Sequence, residues 1–91
     1  MALINIPSAL RKLTEGQAKV EASGATLREA LNELERRYPG TYVRLVEEDR
    51  IRGGLALFVD DEMPRTGLGT PLKPDSEVYF APAVAGGAPL R

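Results

Sequence analysis

Apolar residues recur along this chain in two different periods, and the switches between them mark its elements. Leu3-Ile4-Asn5-Ile6 alternates, with Ile4 and Ile6 on one face, and Pro7-Ser8 closes the run. A period of two is that of a half-buried strand. Ala18-Lys19-Val20-Glu21-Ala22 alternates as well, with small apolar residues on one face and Lys19 and Glu21 on the other. Thr14-Glu15-Gly16-Gln17 lies between them as a turn, so the two runs read as a hairpin with a wide loop. After Ser23-Gly24-Ala25 the period lengthens. Leu27, Ala30, Leu31, Leu34 and Tyr38 fall at helical spacing, and charged or amide residues fill the positions between. Thr26-Leu27-Arg28-Glu29 has the order of a capping box, in which the Thr26 hydroxyl accepts from the Glu29 amide and the Glu29 carboxylate from the Thr26 amide. Glu33 and Arg37 stand four apart as an ion pair on the helix face. Arg36 and Arg37 suit the negative end of the helix dipole, and Pro39-Gly40 stops the helix.

Downstream, Tyr42, Val43, Leu45 and Val46 predict a short helical turn. Glu47-Glu48-Asp49-Arg50 and Arg52-Gly53-Gly54 frame a solvated connection, and Leu55-Ala56-Leu57-Phe58-Val59 is a strand apolar on both faces. Asp60-Asp61-Glu62-Met63-Pro64 turns the chain. Gly67, Gly69, Pro71 and Pro74 mark a loop-rich passage with at most a short strand, before a last strand from Glu77 to Ala81. The order hairpin, helix, strand, loops, strand predicts an α+β sheet of about four to five strands with one main helix on one face. The first and last strands are both strongly apolar, so they read as central, parallel neighbours, as in a β-grasp. The inner face then carries Ile4, Ile6, Val20, Leu57, Val59, Val78 and Phe80, covered by Leu27, Leu31 and Leu34. Each fully buried aliphatic side chain contributes about 1.5–3 kcal/mol, so these positions stabilise.

Composition narrows the function. Ninety-one residues with 43% hydrophobic and 27% charged side chains make one ordinary globular domain. A net charge of -1 gives no basic excess toward nucleic acid or an anionic membrane. No apolar run approaches the roughly 20 residues of a bilayer span. Met1-Ala2-Leu3-Ile4-Asn5 does not read as a signal peptide, which favours a cytoplasmic home. The chain has no cysteine and no histidine. It therefore lacks thiolate metal ligands, the commonest general base and the commonest nucleophile–base pairs. Chemistry involving this chain is expected to come from a partner, with no cofactor and no metal bound.

The tail stands apart. Ala81-Pro82-Ala83-Val84-Ala85-Gly86-Gly87 runs straight off the last strand, and Ala88-Pro89-Leu90-Arg91 follows without an ionisable side chain before Arg91. Pro82 has no amide hydrogen and is expected to end regular strand pairing. Two glycines give a thin backbone with wide conformational freedom. Such a terminus is either a frayed end or a backbone made slim for a partner's active site to grip.

The whole stretch from Ile4 to Gly87 resembles the ThiS/MoaD family of ubiquitin-like sulfur carriers, and within it the cysteine-biosynthesis (CysO-like) branch. The likeness rests on Ile6-Pro7, on the Ala22-Ser23-Gly24 to Thr26-Leu27 helix entry, and on Phe58-Val59-Asp60-Asp61-Glu62. It rests above all on Asp75-Ser76-Glu77-Val78-Tyr79-Phe80-Ala81 running into Pro82-Ala83-Val84-Ala85-Gly86-Gly87. The resemblance implies a β-grasp domain over residues 1–87 with a flexible tail over 82–87, and a carrier in place of an enzyme. An adenylyltransferase like the ubiquitin-activating enzymes would use ATP to adenylate the Gly87 carboxylate. Sulfur would replace the adenylate as a thiocarboxylate, and a sulfur-accepting biosynthetic enzyme would take it. Cysteine, molybdopterin, thiamin and tRNA thiolation are the candidate pathways. Pro82, Val84, Ala85 and Gly86 would thread the partner's active site; Val84 to Gly87, extended, spans roughly 13 Å at about 3.3 Å per residue. The family ends at the second glycine, whereas Ala88 to Arg91 follow here. The resemblance thus implies a precursor cut between Gly87 and Ala88 by a JAMM-type zinc metalloprotease; the alternative is a chance extension. Two other functions stay open: a ubiquitin-like modifier joined through Gly87 to lysines of target proteins, and a plain binding module.

Phe58 and Tyr79 are expected on the sheet face opposite Leu57 and Phe80. An exposed aromatic pair is a candidate docking patch, with Arg44, Arg65 and Lys73 as possible flanks. The resemblance implies a partner surface on the same face; the alternative is cover by the loop from Met63 to Pro74. The acidic runs Glu47-Glu48-Asp49 and Asp60-Asp61-Glu62 lack calcium-loop spacing and read as solvated turns.

Overall fold

The last strand of the chain is the middle of the molecule. In the computed structural model, which describes residues 1–82, the elements are β1 (Ala2–Asn5), β2 (Lys19–Ala22), α1 (Leu27–Arg37), α2 (Thr41–Leu45), β3 (Val46–Glu47), β4 (Arg50–Ile51), β5 (Leu55–Val59) and β6 (Glu77–Pro82), with 3-10 segments at Ser8–Thr14 and Gly67–Gly69. Four strands form one mixed sheet in the order β2-β1-β6-β5. β1 pairs antiparallel with β2, Ile4 opposite Val20, and parallel with β6, Ile4 opposite Val78. β5 pairs antiparallel with β6, Leu57 opposite Phe80 and Phe58 opposite Tyr79.

The alternation that predicts the strands also sorts their faces. Ile4, Ile6, Val20, Leu57, Val59, Val78 and Phe80 are all buried, and Leu27, Ala30, Leu31 and Leu34 of α1 close over them. The core is this contact between helix and sheet, completed at its edges by Leu45, Val46 and Leu68. Burial of apolar area at about 25 cal/mol per Å² is what holds it.

The helix entry differs from the expected box by one residue. Thr26 Oγ1 accepts from the Glu29 amide at 3.3 Å, but the Glu29 carboxylate reaches past Thr26 to the amide of Ala25, 2.8 Å away. Loop carbonyls complete the terminus, the Leu27 amide donating to the Thr70 carbonyl at 2.9 Å. Glu33 pairs with Arg36, three residues on, instead of Arg37. Arg37 turns away to the Glu21 carbonyl and lies 5.7 Å over the Tyr38 ring. Pro39-Gly40 ends the helix as expected, with Tyr38 as its cap.

Three connections carry more order than their composition suggests. The wide hairpin loop holds the 3-10 segment Ser8–Thr14, fixed by buried Thr14, whose hydroxyl bonds the carbonyls of Arg11 and Gln17. The supposed solvated connection is a two-stranded ribbon, β3 against β4, turned at Glu48 and Asp49 with φ of 53° and 64°. The passage before β6 contributes the 3-10 segment Gly67–Gly69, buried Leu68 and a single bridge from Pro71 to Thr26. Among the described residues no helix is long and apolar enough to cross a membrane.

Candidate functional site at the strand that carries the tail

Asp60 fixes where β6 begins. Its Oδ2 accepts from the Ser76 hydroxyl and its Oδ1 from the Glu77 amide, both at 2.9 Å. Ser76 Oγ in turn accepts from the Lys73 amide at 2.9 Å. The Glu77 amide, then the Ser76 hydroxyl, hold the Asp60 carboxyl below its ordinary range. Asp60 and Asp61 both lie in the left-handed region, at φ 52° and 71°, a conformation aspartate adopts more readily than most residues. The acidic turn is therefore a clasp between β5 and β6. Among the described residues no three acidic groups gather as metal ligands.

The open face of the sheet begins with a polar band. Asn5 Nδ2 donates to Glu77 Oε2 at 3.1 Å and to the Val78 carbonyl at 3.0 Å, and Lys19 Nζ lies 3.7 Å from the same Glu77 oxygen. Asn5, then the Tyr79 hydroxyl, hold the Glu77 carboxyl below its usual range, and Glu77 pushes the Tyr79 hydroxyl up. Beyond the band stand Phe58 and Tyr79, directly opposite each other across β5 and β6. Tyr79 is 39% exposed and Phe58 is half-buried. The later part of the loop that was the alternative cover for this pair goes to the other side of the sheet: Leu68 enters the core and the Leu72 amide bonds the Ala25 carbonyl beside the helix.

Pro82 does not end the pairing; it is the last residue of β6, opposite Leu55. Hydrogen-bond parity explains this. The Leu55 amide donates to Arg52 and the Val59 amide to Glu62, both away from β6, while the Asp60 amide donates to Glu77. The backbone amides at odd-numbered positions of β5 thus point away from β6, and Leu55 with Pro82 is a pair that demands no amide from Pro82. β1 has already left the sheet at Pro7, so the other side of Pro82 needs no amide either. Of the tail, Val84, Ala85, Gly86, Gly87 and Ala88 lie outside the described residues.

Sequence reasoning missed a groove beside this exit. It runs between the first 3-10 segment, α2 and the start of β5, and Val43, Arg44, Arg52 and Leu55 line it. Arg44, expected near the aromatic pair, lies here instead, in a groove whose neighbouring hollow reaches Tyr79. The available signal was Val43, an apolar residue on the opposite side of the short helix from the i,i+4 pair Thr41 and Leu45.

A mixed sheet with one covering helix, whose central last strand leads into the tail, defines the class as a ubiquitin-like β-grasp domain. The chain belongs to the ThiS family, whose model matches residues 4–87. It is 37% identical over 89 residues to the sulfur carrier protein CysO of Mycobacterium tuberculosis, covering 92% of this chain and 96% of that one. The crystal structure of the Amycolatopsis orientalis BexX/CysO complex contains a chain that superposes with a TM-score of 0.86 at 37% identity, covering 96% of this chain and 100% of its counterpart. The small archaeal modifier protein 1 of Methanosarcina acetivorans follows with a TM-score of 0.72 at 25% identity, over 94% and 95% of the two chains. Sulfur carriers of the CysO type and archaeal modifiers are thus this chain's relatives.

Proposed function

We propose that this protein is a cytoplasmic sulfur carrier that acts through Gly87 and is itself worked on by enzymes. The observation that carries the reading is where the family match stops: residues 4–87, closing on the second glycine and leaving Ala88 to Arg91 outside. Residues 1–87 are then the carrier domain and 88–91 the segment removed. Hydrolysis of the Gly87–Ala88 bond by a JAMM-type zinc metalloprotease frees the Gly87 carboxylate. An adenylyltransferase joins that carboxylate to the AMP portion of ATP and releases pyrophosphate. A carboxylate is a poor electrophile, and the mixed anhydride supplies a good leaving group. Hydrosulfide then attacks the acyl carbon, the bond to AMP breaks and AMP leaves, and the resulting thiocarboxylate is consumed by a biosynthetic enzyme.

This chain's own contribution is position. β6 is paired with β1 at its start, with β5 as far as Pro82, and clasped by Asp60, so the root of the tail is fixed where Pro82, Val84, Ala85 and Gly86 would enter a partner. Gly87 puts no side chain beside the reacting carbonyl. The Phe58–Tyr79 face is where a partner would dock. That a CysO protein has been solved in complex with BexX supports engagement of a protein partner.

Intact mass spectrometry of the chain from its own cells tests the reading. The expected species ends at Gly87 with one terminal oxygen replaced by sulfur. The uncut chain through Arg91, unchanged when the cells are starved of sulfur, overturns it. The likeness to small archaeal modifier protein 1 favours a second reading, conjugation through Gly87 to lysines. Isopeptide-linked adducts in the same cells would identify it. A plain binding module would instead keep its activity after deletion of Gly86-Gly87.

A further inference from the structure

We infer that the groove beside the root of the tail docks an acidic, partly apolar segment of the protein that receives the tail. The inference rests on the carrier reading and names the surface chemistry of its partner. The groove starts where the chain leaves the sheet, because Leu55, which lines it, is the residue opposite Pro82. Its apolar side is Leu10, Leu55 and Val43, the last 62% exposed. Gly53 and Gly54 leave one wall without side chains; a Cβ placed on either would meet nothing within 4 Å.

The ionisable residues that line the groove are Arg44 and Arg52, and no acid is among its lining. Among the described residues Arg44 forms no ion pair. Arg52 is held along the rim, its Nη1 3.5 Å from the Val43 carbonyl and 3.9 Å from Glu47. Such a cationic pocket is unexpected from the whole, since the chain's net charge is -1. Arginine stems lie well against apolar surface, and their forked donors fit carboxylates. An occupant with both acidic and apolar side chains satisfies both halves. The chain's own tail does not supply it, because residues 83–91 contain no Asp or Glu. The adjoining hollow shares Gly54 and Leu55 and reaches Tyr79. One partner could therefore cover groove and aromatic pair together.

The experiment titrates the isotope-labelled full chain with a short peptide alternating leucine with glutamate and aspartate, followed by NMR. A matched peptide has lysine in place of each acid. The expected result is amide shifts centred on Val43, Arg44, Gly53 and Gly54 with the acidic peptide alone, weakened by added salt. Arg44→Glu with Arg52→Glu should weaken binding about tenfold or more. Arg36→Glu, exposed on α1 and outside both hollows, should leave it unchanged. Equal binding of the lysine peptide, or indifference to the double reversal, overturns the inference. So do groove shifts that grow with protein concentration before any peptide is added, which would mark a second copy as the occupant. A native chain that never carries sulfur sinks the carrier reading. A native chain that does, with the double variant charged equally fast in the same cells, sinks only the docking surface.

Discussion

Along β6 the two faces do different things within a few ångströms of each other. Val78 and Phe80 point under α1 and are buried; Glu77 and Tyr79 point to the open side, where Asn5, Lys19 and Phe58 meet them. Alternation lets one strand carry the core on one face and leave the other free to change. On the proposed carrier reading, the strand that leads into the tail can then present a docking surface without loosening its own anchorage. Val78→Asp should break the buried side outright. It sets a carboxylate at a fully buried position of a central strand, which costs several kcal/mol, against a total of about 5–15 for a small domain. Loss of a cooperative melting transition in circular dichroism is the expected outcome, whereas Tyr79→Ser should keep one. A cooperative melt from Val78→Asp would mean that the helix does not close this face.

Glycines give the next test. A Cβ on Gly24 would stand 2.6 Å from the Ala30 amide nitrogen and 2.9 Å from the Glu29 carbonyl carbon, both backbone of α1. Gly24→Ala should push the helix off the sheet and cost about 2 kcal/mol, read from chemical denaturation. Gly53→Ala, on the groove side, meets open space and should stay within about 0.5 kcal/mol. Equal costs would show that the helix entry is looser than its contacts indicate.

The clasp is smaller again. Asp60→Ala loses the bonds to Ser76 and Glu77 and puts alanine at φ 52°, so destabilisation of about 1–2 kcal/mol is expected at neutral pH. Because the native Asp60 carboxyl titrates lower than in the unfolded chain, its contribution is present above the ordinary carboxylate range. It fades as pH falls through the lowered native value. Asp60→Asn keeps the turn's geometry and should flatten that part of the acid limb. An acid limb identical to that of the unaltered chain would mean the clasp is not electrostatic.

What was legible in the sequence follows the same division. The buried side could be read position by position, because burial imposes a period: every expected inner-face residue is buried, and the parallel pairing of first and last strands is present. What escaped has no period. Ser8–Thr14 is held by the buried Thr14 hydroxyl, β3 and β4 are too short to alternate, and the Asp60–Ser76 bond joins residues sixteen positions apart. The i,i+4 rule chose Arg37 for Glu33, but Arg37 has the Glu21 carbonyl and the Tyr38 ring within reach. For the tail, Pro82 illustrates the limit. Its missing amide predicted an end to pairing, and only the outward-facing amides of Leu55 and Val59 show that its place in the ladder needs none.

The smallest expected effect concerns the open side itself. Phe58 and Tyr79 are direct cross-strand neighbours, and such a pair contributes about 0.2–1 kcal/mol. A double-mutant cycle of Phe58→Ala and Tyr79→Ala should give a coupling in that range, with both single variants still melting cooperatively. If the proposed carrier reading holds, their effect on activation at Gly87 should exceed what their lost stability explains, because docking there would use both rings at once. If each variant lost activation only in proportion to its lost stability, the pair would be a local brace for β5 and β6. Partner recognition would then fall to the arginine-lined groove alone.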